Sequence, residues 1–139
     1  MKKIILFLIT LLVLTGCQEQ VRPLSGTYSY KISGRVEADG SEEALANEQG
    51  AMELLRISKD SALLTFNVLM GGTYHTEAVV SGKEIELLPF ERKISVGLSE
   101  YDVTVSGKGS VYDKTILIDL QYKGKDLTTK QIELLCKKN

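Results

Sequence analysis

Alternation with a period of two runs through almost the whole chain after residue 25, and it restricts the fold more than any other feature. Tyr28, Tyr30, Ile32 and Val36 share one face with Gly34, while Thr27, Ser29, Lys31, Ser33 and Arg35 take the other. That is the pattern of a strand with one buried face. It recurs in Ala62, Leu64, Phe66, Val68 and Met70, and again in Tyr74, Thr76, Ala78 and Val80. Tyr101, Val103 and Val105 repeat it, as do Ile116, Ile118, Leu120 and Tyr122. Turn signals divide these runs at Lys59-Asp60, Gly71-Gly72, Ser81-Gly82, Leu98 to Glu100, Gly107 to Gly109 with Asp113-Lys114, and Gly124.

Eight strands are predicted, over residues 26–37, 50–58, 61–70, 73–81, 83–97, 100–111, 115–123 and 126–137. Within the fifth, the apolar parity slips from Ile85 and Leu87 to Ile94 and Val96. Pro89 lies between them and removes a backbone donor, so a bulge or bend is expected there. The one helical candidate is Ser41 to Gln49, with Ser41 as N-cap, Glu42 and Glu43 in its first turn and Gly50 as stop. So short and polar a run is marginal alone, and one short helix or an ordered loop is expected. Consecutive strands without crossover helices read as an antiparallel meander, and closure removes its exposed edges. The fold class is therefore all-β: an eight-stranded antiparallel up-and-down barrel with at most one short helix. An eight-stranded barrel is either filled by side chains or holds one small ligand.

The first residues give an address. Lys2 and Lys3 precede an apolar run from Ile4 to Leu14, broken only by Thr10, and Leu14-Thr15-Gly16-Cys17 closes the segment. This order is that of a secretory signal, too short and wrongly flanked for a stable membrane span. The Leu-Thr-Gly-Cys ending resembles the bacterial lipobox. That resemblance implies cleavage before Cys17 and acylation of its thiol and new amino group. The expected organisation is a signal peptide over 1–16, the lipidated cysteine and a polar tether over 17–24, and a barrel domain over 25–139. Each buried methylene of an acyl chain contributes roughly 0.8 kcal/mol, so two or three chains give lasting attachment. In the lipoprotein pattern, Asp after the cysteine signals inner-membrane retention. Gln18 stands there instead and favours an outer membrane, facing the periplasm, in a cell that has one.

Removing residues 1–16 from the 139-residue chain leaves 123, enough for one domain with one core. Lys2 and Lys3 leave with the signal, so 15 basic residues face 18 acidic ones, a net charge of −3. Nothing in that balance seeks nucleic acid. With Cys17 committed to lipid, Cys136 stands alone and no disulfide framework is available. Its spacing from Ile132 and Leu134 places it on an apolar face as a small buried hydrophobe.

Gly26-Thr27-Tyr28, directly after Leu24-Ser25, opens the first strand with Gly-x-aromatic. In an eight-stranded meander this resembles the lipocalins and the wider calycin group, whose signature is Gly-x-Trp. Tyr28 stands in the tryptophan's place, and the chain has no Trp. Ser110 to Asp113 is loosely similar to the group's motif before the seventh strand, and the last strand offers Lys130 where the group has arginine. The domain also resembles small calycin-like lipoproteins of some Gram-negative bacteria. The resemblance implies a barrel that binds a small, mainly apolar molecule, by analogy of fold.

Catalysis finds little footing in these residues. His75 is the sole histidine, and its parity opposes Tyr74, Thr76 and Ala78. Zinc sites need three or four ligands, which the cysteines and one histidine do not supply. No nucleophile elbow, metalloprotease, phosphate-loop or dinucleotide motif is present, and Gly107-Lys108-Gly109-Ser110 reads as a turn. Glu84 and Glu86 flank Ile85 on a solvated face, and Glu91-Arg92-Lys93 reads as a polar loop. A non-enzymatic protein without cofactor or metal is expected.

Aromatic residues are the better candidates. Tyr28, Tyr30, Tyr74, Tyr101 and Tyr122 occupy predicted inward positions with Phe66, and buried tyrosines need partners for their hydroxyls. Arg56 interrupts an apolar strand, either as an inward counter-charge or pointing outward at a bulge. Small inward residues (Gly34, Ala62, Ala78) leave room in the barrel. They favour a ligand bound inside it, under a loop near residues 38–50. The alternative is a protein-interaction module, such as an inhibitor, immunity or envelope assembly factor. It would have a filled barrel and an outer apolar patch drawn from Leu63, Leu69, Val79 or Leu117.

Overall fold

A computed structural model describes residues 24–38, 41–44, 48–96, 98–125 and 127–139. The signal segment, Cys17 and the tether up to Pro23 lie outside the described residues. Alternation produces nine strands: β1 Gly26–Ala38, β2 Ser41–Ala44, β3 Glu48–Arg56, β4 Ser61–Val68, β5 Thr73–Ser81, β6 Glu84–Val96, β7 Ser99–Tyr112, β8 Thr115–Lys123 and β9 Leu127–Lys138. All pairings are antiparallel in the order β2-β1-β3-β4-β5-β6-β7-β8-β9, and pairing of β1 with β9 closes the ring. The closed barrel has eight staves, because β2 and β3 share one edge of β1. β3 pairs with Gly26–Ile32 and β2 with Arg35–Ala38.

No helix occurs among the described residues. The stretch expected as a short helix or loop instead begins with β2 and ends in β3. Ala38 pairs with Ser41, so only Asp39-Gly40 lies between the partners. Asp-Gly strongly favours two-residue hairpins, and extended pairing gives the backbone partners that a marginal helix would lack.

Two irregularities shape the wall. The β1–β9 register shifts between Ser33 and Arg35, where Gln131 has φ 50°. A Cβ on Gly34 (φ +157°) would lie 2.7 Å from Ile132 Cα, so the bulge requires glycine. The second is the one predicted at Pro89: the β6–β7 register shifts between Leu87 and Phe90. Beyond it Phe90, Arg92, Ile94 and Val96 turn inward in place of the odd-numbered set. β5 and β6 pair only from Ala78–Leu87 to Ser81–Glu84. Above that point side chains bridge the seam, among them Thr76 Oγ1 donating to Leu88 O at 3.2 Å.

The barrel interior is filled below its mouth. Tyr28, Met52, Leu54, Leu64, Ile85, Leu87, Ile116, Ile118 and Leu134 are each at most 2 % exposed. The room expected beside the small residues is therefore absent. Ala62 and Ala78 sit opposite one another, and Leu87 pairs with Ala78 and closes the space. Cys136 is buried in this core, and desolvation pushes its thiol up to about 12. At the closed end Tyr28 Oη donates to Leu24 O at 2.6 Å, which fixes where the tether joins the barrel.

Candidate functional site

Near the opposite end, four chain segments converge on one carboxylate. Glu48, at the start of β3, shares the inward parity of Met52 and Leu54. Arg92 reaches it from β6 because the Pro89 bulge has switched that strand's face. The guanidinium grips the carboxylate with both arms, Arg92 Nη2 to Oε1 at 2.6 Å and Nη1 to Oε2 at 3.2 Å. Tyr74 Oη donates to Oε2 at 2.6 Å and Tyr30 Oη at 3.2 Å. A planar fork on a carboxylate is the strong form of ion pair.

Aromatic rings hold this cluster from below and beside. Tyr30 meets Phe66 edge-on at 5.0 Å, Phe66 stacks on Tyr74 at 4.9 Å, and Tyr74 stacks on Phe90 at 5.8 Å. Arg92 lies over the Tyr74 ring, 4.2 Å from its centroid. Contacts of both kinds contribute about 0.5–1.5 kcal/mol each beyond burial, and they close the unpaired β5–β6 seam.

The electrostatics follow from this arrangement. Burial alone would raise the Glu48 pKa. The Arg92 and Tyr74 hydrogen bonds, the Arg92 charge and the Tyr30 bond outweigh burial and hold it below its ordinary value. Burial likewise opposes the charge on Arg92, and Glu48 overcomes that, so the pair is ionised. Tyr30 and Tyr74 are raised, first by burial and also by the adjacent carboxylate, and remain neutral donors. Tyr122 is pushed up to about 12, chiefly by burial.

Above the cluster lies an open concavity of about 600 Å³. Glu48, Arg92 and Tyr122 form its polar base with Gln49, Lys93 and Ser95 beside them, and Ile32, Val68, Leu69, Met70 and Ile94 supply apolar walls. Arg92 and Glu48 keep 18 % and 15 % of their side chains exposed there, so the pair is reachable from the mouth. A guanidinium has five N–H donors, and Glu48 occupies only two of them.

The residues singled out in the sequence divide by position. Tyr30, Phe66 and Tyr74 belong to the cluster, Tyr122 borders it, and Tyr101 is half-buried at the same end, opposite Ile94. Tyr28 belongs to the closed end. Arg56 is not the inward counter-charge. Its Nε donates to Ser58 O at 3.2 Å and its Nη2 to Lys59 O, which ties down the β3–β4 turn. That inward role falls to Arg92, read in the sequence as part of a polar loop. Counting alternate positions onward from Phe90 would have found it. Glu48 was hidden inside the helix expectation. His75 is exposed on the outer wall. Leu63 and Val79 lie on adjacent strands, Leu117 lies on β8 and Leu69 at the mouth, so these four do not form one patch. Among the described residues no three His, Cys, Asp or Glu side chains converge to hold a metal ion.

A family model of the prokaryotic membrane lipoprotein lipid attachment site matches residues 1–18. No curated protein and no solved structure matches the chain. The chain thus combines a prokaryotic lipoprotein lipid-attachment motif, which supports membrane association through its N-terminal cysteine, with an eight-stranded barrel.

Proposed function

We propose that this lipid-anchored barrel is a non-catalytic binding protein of the cell envelope whose recognition site is its mouth. Its ligand is a small molecule with an apolar body and a hydrogen-bond-accepting group. The observation that carries this reading is the Glu48–Arg92 pair, partly exposed at the base of a concavity with aliphatic walls. Because Glu48 neutralises Arg92, the site suits a carbonyl, amide or singly charged acceptor better than a multiply charged one. A deep lumen site of the kind the lipocalin resemblance implies has no space beneath the aromatic cluster. In a cell with two membranes, Gln18 favours the outer one.

The test is native mass spectrometry of the full-length acylated protein, extracted gently from its own membrane in non-ionic detergent. The expected result is a reproducible non-covalent mass that denaturation releases. A second reading, a protein-interaction module, draws on Met70 and Leu98, which are fully exposed on turns at the mouth end. A bare acylated mass, together with a co-purifying protein lost on Met70→Ser and Leu98→Ser, would replace the first reading with the second.

A further inference from the structure

We propose that the closed end of the barrel is a docking face for the anionic headgroups of the membrane that holds the lipid, so that the mouth points away from it. Only Gln18 to Pro23 separate Cys17 from Leu24, a path of at most about 25 Å. Leu24 is buried at the closed end under the Tyr28 hydroxyl, and Ser25 Oγ accepts the Arg56 N–H at 3.1 Å. The 13 residues of β1, at about 3.3 Å each and a tilt near 40°, make the barrel about 33 Å tall. The tether is therefore too short to carry the mouth down onto the same bilayer.

The composition of the closed end supplies a second, independent argument. Its turns and strand ends form one rim, joined by Val80 N to Asp60 O at 2.9 Å, Val111 N to Lys83 O at 2.7 Å, Lys138 N to Lys114 O at 2.8 Å and Asn139 N to Thr27 O at 3.0 Å. This rim carries exposed Lys59, Lys83, Lys114 and Lys137 with half-buried Arg56 and Lys138, against exposed Glu53, Asp60, Glu84 and Asp113. A basic rim on a domain that is net acidic once its signal is removed marks one end as different. Ile57 and Tyr112, 60 % and 58 % exposed, stand on the same rim. Lysines with a tyrosine and an aliphatic side chain suit the headgroup layer, where long basic stems and phenol rings keep their polar tips wet. Near an anionic surface each lysine shifts the docked population by about fivefold at low salt.

The test uses the full-length acylated protein in vesicles of neutral phosphatidylcholine, alone or with added anionic phosphatidylglycerol. Fluorophores placed at Ser58→Cys (closed end) or Leu98→Cys (mouth) report proximity to headgroup spin-labelled lipid, and co-flotation with the vesicles reports the anchor separately. In anionic vesicles the Ser58→Cys probe is expected to be quenched several-fold more than the Leu98→Cys probe. Salt, or Lys83→Glu combined with Lys114→Glu, should reduce that difference to the smaller one that the short tether alone imposes, without changing flotation or the denaturation midpoint. Equal quenching at the two ends, stronger quenching at Leu98→Cys, or indifference to lipid charge would overturn the proposal. None of these outcomes depends on whether the mouth binds a ligand.

Discussion

Arg92 does two jobs at once, neutralising a buried carboxylate and lying on the ring that closes a gap in the barrel wall. Arg92→Met keeps much of the apolar stem but leaves Glu48 without its counter-charge. We expect a loss of about 3 kcal/mol in denaturant unfolding, most of it recovered by adding Glu48→Gln. A double variant no more stable than the single one would show that packing, not charge, dominates. The pH dependence has a definite sign. Glu48 is held below its ordinary value of 4.5, so its contribution is complete above that value and is lost as pH falls through the depressed one. Wild type should therefore lose stability more steeply below about pH 4.5 than Glu48→Gln, measured as midpoints across that range. Period two made Tyr30, Phe66, Tyr74 and Tyr122 legible in the sequence. Arg92 and Glu48 were not, because each charged residue sits in a polar stretch whose local look contradicts its inward parity.

Strands were readable because each has one wet and one dry face, and most of their ends fall close to turn residues; Gly107 to Ser110, which reads as a turn, instead lies within β7, paired with β6 and β8. Where the reading failed, two local signals competed. Ser41 to Gln49 has a helix cap and early acids, but Asp39-Gly40 immediately before it suits a hairpin, and pairing along β1 wins. The Pro89 bulge was visible as a parity slip, whereas the bulge opposite Gly34 left β1 alternating, since its extra residue lies in β9 around Gln131. Gly34→Ala tests that element directly. With a Cβ 2.7 Å from Ile132 Cα, it should lower stability by about 2 kcal/mol or more. An unchanged midpoint would mean that the β1–β9 closure relaxes freely there.

For the whole molecule, the parts align along one axis: a tether and basic rim at one end, a packed core in the middle, and a polar cluster under an open mouth at the other. The core accounts for stability, and in the proposed function recognition falls to the mouth. Tyr122 separates the two roles, because Tyr122→Phe removes one hydroxyl from the mouth and preserves the ring that packs below. The decisive measurement is native mass spectrometry of the full-length acylated protein and its Tyr122→Phe variant, purified side by side. A retained ligand mass is expected on the wild type and its loss or strong reduction in the variant, with denaturation midpoints that agree within about 0.5 kcal/mol. The same retained mass on Tyr122→Phe and on the Glu48→Gln, Arg92→Met double variant would contradict that expectation and move recognition away from the mouth.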